Sequence, residues 1–270
     1  MLRLGTSSWT AQGWERAFYP PETPQRDYLR HYATKFDTVE IDATFYAIPS
    51  RTTVDGWRTK TPPNFTFAAK VPKVITHEKM LVDCERELGV FIEVMSRLGT
   101  KLGPLLFQFR YFRKGELELS EFLDRLCPVL DHVPEGVRVA VEVRNKKWLA
   151  PELLTALSER NMALALVDHP YMPYASEYLE RGKELITADF TFIRLIGHRQ
   201  KTEQKLADEL GEVSFERSVI DRSRELASWS ELIRSLDHDR FALFAYVNNH
   251  YSGFAPDDIR RLMDLVKSSE

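Results

Sequence analysis

Eight short apolar segments, each followed by enough chain for a helix, constrain this sequence more than any other feature. They lie at 2–7, 38–42, 67–70, 105–110, 138–144, 163–168, 192–197 and 243–248. Helical stripes fall between most of them. Cys84, Leu88, Phe91, Met95 and Leu98 step by four and three, which lines them up on one helix face. Leu226, Trp229, Ile233 and Leu236 repeat that spacing, and Ile259, Leu262 and Val266 supply the last helix. The sixth helix reads as weak, a short piece near 177–181 inside a long loop over 169–191. Strands alternating with helices predict βαβ units and a parallel sheet. Eight such units in 270 residues predict one domain over 1–270, an α/β chain closed as a TIM-like (β/α)8 barrel. An open doubly wound sheet would carry a Gly-rich first turn, and Gly5-Thr6-Ser7-Ser8 lacks the GxGxxG spacing.

Composition excludes several classes. No apolar run approaches the ~20 residues that span a bilayer, so no membrane association is expected. The opening residues run directly into a strand pattern without a leader-like segment, which predicts a cytoplasmic protein. Cys84 and Cys127 lack CxxC spacing and read as two reduced thiols. A formal net charge of −3 disfavours nucleic acid as the partner, a local basic patch aside.

Strand alternation assigns the inward side chains, because in a barrel one parity packs against the helices and the other fills the interior. Taking the uniformly apolar parity as helix-facing leaves these polar residues inward near the strand ends: Ser7, Glu40 and Asp42, Lys70, Gln108 and Arg110, Glu142 and Arg144, Asp168, Arg194, and Asn248. Leu106, Ala140, Leu166, Phe192 and Phe244 form the apolar floor beneath them. Active sites of barrel enzymes lie at this C-terminal face. Four acids and four bases could instead plug the barrel as an ion network. Burying ions costs several kcal/mol and apolar residues fill space as stably, which favours a functional site.

The motifs Gly5-Thr6-Ser7-Ser8-Trp9, Gly13-Trp14, Phe18-Tyr19-Pro20, Phe36-Asp37-Thr38-Val39-Glu40-Ile41, Thr44-Phe45-Tyr46, Pro49, Phe67-Ala68-Ala69-Lys70, Thr76-His77, Leu102-Gly103-Pro104-Leu105-Leu106-Phe107-Gln108, Glu142-Val143-Arg144 with Trp148, and Asn248-Asn249 together resemble the YecE-like family, domain of unknown function 72. The resemblance runs end to end. It implies a barrel and carries no established reaction. The chain departs from the family pattern at Asp42 (usually Asn), at Arg110 (a Pro expected), and at Ile196-Gly197-His198, where a His-Gly pair is more usual.

Candidate roles follow from residue chemistry. Glu142 could act as a general base or metal ligand, with Arg144 clamping a phosphate or carboxylate. Glu40 and Asp42 could share acid and base roles, and with Asp168 could ligate a divalent ion. A divalent metal is nevertheless the less favoured cofactor, since no HxH or HExxH pair supports one, and no metal residue is assigned. Lys70 sits where Schiff-base lysines occur in barrels, although pairing with Glu40 is its plainer role. His77, in Thr76-His77-Glu78-Lys79, is the leading histidine; His169, His198 and His250 also follow strand ends. Trp9, Trp14, Phe18, Tyr19, Phe45, Tyr46, Tyr111 and Phe112 crowd the loops at the same end. Of these, Trp14 and Tyr46 are expected ligand contacts, together with Ser7, Asp42, Gln108, Arg144, Arg194, Asn248 and Asn249. A second long loop over 198–222 carries Arg199, Lys201 and Lys205 and could close as a lid.

The expected function is an enzyme acting on a small anionic molecule, phosphorylated or sugar-like. One alternative is a metal-dependent barrel resembling the endonuclease-IV and xylose-isomerase group. Another is a non-catalytic binding module. A retaining glycosidase is disfavoured because the fourth and seventh strand ends carry Gln108 and Arg194 rather than acids.

Overall fold

The computed structural model describes residues 1–236 and 241–268. The eight strands are β1 (Leu2–Ser7), β2 (Thr38–Ile41), β3 (Thr66–Lys70), β4 (Leu102–Gln108), β5 (Val139–Glu142), β6 (Ala163–Asp168), β7 (Phe190–Leu195) and β8 (Ala242–Val247). Each pairs in parallel with its sequence neighbours, and β8 returns to β1, so the sheet closes as a barrel. The α-helices are α1 (Trp14–Ala17), α2 (Tyr28–Tyr32), α3 (Arg51–Lys60), α4 (Glu85–Met95), α5 (Leu119–Asp131), α6 (Pro151–Ser158), α7 (Ala175–Arg181), α8 (Arg199–Leu210), α9 (Ser223–Ser235) and α10 (Ala255–Lys267). None of the described helices is long and apolar enough to cross a membrane.

Local chemistry explains the main elements. Ser50 starts α3 by accepting a hydrogen bond from the Thr53 N–H, which satisfies one of the helix's orphan donors. The stripe expected on α4 is buried: Leu88, Phe91 and Met95 pack with Cys84 and Leu98 against the barrel. Gly5 is required where β1 meets β2, because a Cβ there would lie 2.3 Å from the Thr38 carbonyl oxygen. The sixth crossover holds the seven-residue α7 and a 3-10 turn over Gly182–Leu185, in keeping with its weak sequence signal.

Two expectations about segments need correction. The stretch 198–222 is not an open loop. It begins with the twelve-residue α8, which buries Thr202 and Leu206. Its sequence is so polar that two buried residues suffice to dock it, and the apolar spacing is too sparse to read. The fourth strand ends at Gln108, so Arg110 does not face the barrel interior. Its guanidinium turns to the rim, where it pairs with Glu116 and stacks on Phe112.

One buried acid lies away from the barrel mouth. Asp258 of α10 is fully buried and accepts a hydrogen bond from Ser252 Oγ, while its Oδ1 has no partner among the described residues. Burial pushes its carboxyl up to about 7, against the opposing pull of Ser252. A carboxyl raised in the fold contributes stability that is complete below its ordinary value and lost as pH rises through 7. Asp258→Asn is therefore expected to gain stability relative to the parent as pH goes from 5 to 8. Urea midpoints at the two pH values test this, and an unchanged difference would contradict it.

Candidate ligand site at the barrel mouth

Register places the polar ring directly. Ser7 lies level with Glu40, Gln108 with Glu142, and Val167 with Arg194. Partners in a parallel ladder share a face, so Ser7, Glu40, Lys70, Gln108, Glu142 and Arg194 all project inward near the C-terminal ends. Beneath them Tyr246 bonds Thr38 Oγ1 through its hydroxyl at 2.8 Å. Tyr246 has the same parity as Phe244 and Asn248, a signal the apolar-floor reading left unused.

Arg194 is the hub. Its Nε and Nη2 donate to the two oxygens of Glu40 at 2.8 and 2.7 Å, and its Nη1 donates to Glu142 Oε2 at 2.6 Å. Arg144 completes the cluster through Nε to Glu142 Oε1 at 2.5 Å. Both carboxylates are 0% exposed, whereas the Arg144 side chain retains 13% exposure. Burial alone would raise the Glu142 carboxyl. Arg144 and Arg194 overcome that and hold it at about 2. Lys70 pairs with Asp42 rather than with Glu40, at 3.3 Å, and lies over the Phe45 ring at 3.9 Å.

Two histidines face this cluster. His77 sits in the π-helical turn Val74–Glu78, with Nδ1 bonded to Thr76 Oγ1 at 2.8 Å and its ring edge-on to Phe45. Burial, reinforced by Lys70, Arg110 and Arg144, lowers its pKa to about 4. His169 follows β6, and its Nδ1 accepts the Tyr171 N–H at 3.3 Å. A backbone N–H can only donate, so neutral His169 carries its proton on Nε2. Burial, then Arg144, lowers its pKa to about 3. His198 caps α8 by accepting the Lys201 N–H, and His250 spans Asn248 Oδ1 and Glu203.

Several expected site residues lie elsewhere. Asp168 is level with Leu195, on the helix-facing parity, and accepts from Trp229 Nε1 of α9 at 2.8 Å. Val167 takes the inward position, and Leu166 likewise faces the helices. Trp14 is 0% exposed; it packs on Phe18 and Phe254, and its Nε1 donates to Asn249 Oδ1 at 3.2 Å. Trp14 and Asn249 thus tie the first loop to the last instead of lining the mouth. Tyr46 is 68% exposed and touches the site only through Phe45. The ligand set Glu40, Asp42 and Asp168 is not assembled, and among the described residues no three His, Cys, Asp or Glu side chains converge on a metal position.

These features define a closed (β/α)8 barrel with a buried ion cluster beneath a cationic, histidine-flanked mouth. The chain matches the model of the family described as "Protein of unknown function DUF72" over residues 3–270, and it belongs to that family. It is 24% identical to UPF0759 protein YunF of Bacillus subtilis (strain 168), covering 98% of this chain and 95% of that protein. It is 27% identical to UPF0759 protein YecE of Escherichia coli (strain K12), covering 76% of this chain and 77% of that protein. Among solved structures, a DUF72 family protein from Thermotoga maritima MSB8 superposes with a TM-score of 0.77 at 23% identity over 99% of both chains. A xylose isomerase domain protein from Planctomyces limnophilus shares the barrel fold at 12% identity, with a TM-score of 0.53, over 99% of this chain and 96% of that one.

Proposed function

We propose that the mouth binds a small anionic molecule, phosphorylated or sugar-like, and that the protein is an enzyme acting on it. One observation carries this reading: the polar groups left unsatisfied at the mouth are mostly donors. Glu40 and Glu142 are spent on Arg194 and Arg144. Arg144 keeps Nη1 without a partner among the described residues, and Lys70 has a single hydrogen bond for three N–H groups. The Ser7 hydroxyl is buried, again without a described partner. A buried hydroxyl left unbonded costs about 1–3 kcal/mol, so a ligand oxygen placed there is favoured. The acceptors without a described partner are Asp42 Oδ2 and Gln108 Oε1.

An anion saturating this site at 100 times its Kd should stabilise the fold by about 2.7 kcal/mol. Inorganic phosphate and sugar phosphates are therefore expected to raise the melting temperature of the parent and to do so far less for Arg144→Gln, which keeps a donor for Glu142. Equal shifts in both proteins, or none in the parent, would count against the reading.

A further inference from the structure

Lys70 is a buried amine at the mouth whose Nζ makes a single hydrogen bond among the described residues. The buried carboxylates Glu40 and Glu142 are committed to Arg194, so Lys70 is left with Asp42. That bond, at 3.3 Å, is at the long end for an ion pair, and Asp42 itself remains about one-third exposed. The Lys70 side chain is 11% exposed and stands at the C-terminal end of β3, opening into the mouth. His77 lies against the same Phe45 ring that Lys70 covers.

We infer that Lys70 forms an imine with the carbonyl carbon of an anionic aldehyde or ketone held in the mouth. The inference rests on the mouth being the ligand site and narrows its substrate class to carbonyl compounds bearing a carboxylate or phosphate. The free amine attacks the carbonyl carbon; a C–N bond forms, and the C=O π pair moves to oxygen and takes up a proton. The resulting hydroxyl then leaves as water while nitrogen loses its remaining proton, giving C=N. The sum is amine plus carbonyl to imine plus water, with no oxidant or reductant. Asp42 is placed to accept the ammonium proton and, once protonated, to return it to the departing hydroxyl.

The charges around Lys70 support a reactive amine. Asp42 and Glu40 face it from the β2 end, Glu142 from β5 and Arg194 from β7. Burial lowers the ammonium pKa below its ordinary range; Asp42 opposes this and Arg194 assists it.

The test uses glyoxylate, a small anionic aldehyde, with cyanoborohydride to trap any imine as an N-carboxymethyl-lysine, followed by peptide mass mapping. Lys70 is expected to be labelled several-fold faster than the exposed Lys114 and Lys147, because a lowered ammonium pKa leaves more free amine near neutrality. Inorganic phosphate should slow labelling at Lys70 and leave the other two unchanged. Lys70→Arg, which keeps the charge over Phe45, should lose the adduct. Labelling of Lys70 no faster than of Lys114 and Lys147 overturns the inference. The phosphate shift reports separately on the underlying site: if it persists without a Lys70 adduct, the imine chemistry alone fails, and if both are missing, the site reading fails as well.

Discussion

Replacing Arg194 with Met is expected to destabilise the protein by about 3–5 kcal/mol, the usual cost of stripping the partner from a buried ion pair. Glu40 and Glu142 are 0% exposed, and Glu40 would lose its ion-pair partner while Glu142 kept only Arg144. At about 2–4 °C per kcal/mol for a chain of this size, the melting temperature should fall by roughly 10 °C. Removing the stranded charges as well, in Arg194→Met with Glu40→Gln and Glu142→Gln, should recover most of the loss, since an apolar or neutral replacement of a whole buried cluster is often neutral or stabilising by about 1–4 kcal/mol. The pH dependence separates this account from simple loss of packing. In the parent, Glu142 is held at about 2, below its ordinary value of 4.5, so its contribution is complete above 4.5 and lost as pH falls toward 2. In Arg194→Met that carboxylate is a liability which protonation relieves. The gap between the two proteins should therefore be widest near neutrality and narrow below pH 4.5. A gap that stays constant from pH 7 to 4 would show that packing, not charge, holds the cluster.

The barrel and most of the ring were legible because period-2 alternation is a local property. Val39 and Ile41, or Val139, Val141 and Val143, declare the helix-facing side without any knowledge of the rest of the fold. The method failed where both parities were apolar. In β6 the residues run Ala163, Leu164, Ala165, Leu166, Val167, Asp168, and hydrophobicity cannot choose between the sides. Size could have chosen: the small Ala163 and Ala165 face an interior already filled by Phe192, Arg194 and Tyr246, and the leucines pack outward. Other misses were contacts that no local pattern encodes. Trp14 meets Asn249 across 235 residues, so its position in an aromatic loop gave no sign that it would be sealed in the core. The partner of Lys70 was likewise set by competition. Arg194 takes both oxygens of Glu40 with a bidentate fork that an ammonium cannot match, which leaves Lys70 for Asp42.

Acidification should erode the stability of the protein before most carboxylates titrate. His77 and His169 are held at about 4 and 3, below the ordinary value of 6.5, so they stay neutral in the fold while the unfolded chain takes up two protons near 6.5. Groups depressed in this way contribute stability that is complete above 6.5 and lost as pH falls toward 3, with Glu142 adding to the slope below 4.5. Two protons correspond to about 2.7 kcal/mol per pH unit, and Asp258, which holds a proton in the fold over part of the same range, opposes about one of them and leaves about 1–2. A His77→Gln, His169→Gln variant should lose most of the slope between pH 6.5 and 4.5 while keeping the part below 4.5. Urea unfolding across that range would refute the assignment if the slope were unchanged. The same titration bears on function. The cations that add to burial in depressing the two imidazoles, Arg144 for both and Lys70 for His77, are those that the proposed anion would meet. A bound anion should offset their field and raise both histidine pKa values. Sulfate, whose own charge is constant over this range, should therefore make the acid limb shallower in the parent and bind more tightly as pH falls. An acid limb indifferent to sulfate would separate the histidines from the ligand site, whereas a shift would tie proton uptake at His77 and His169 to occupancy of the mouth.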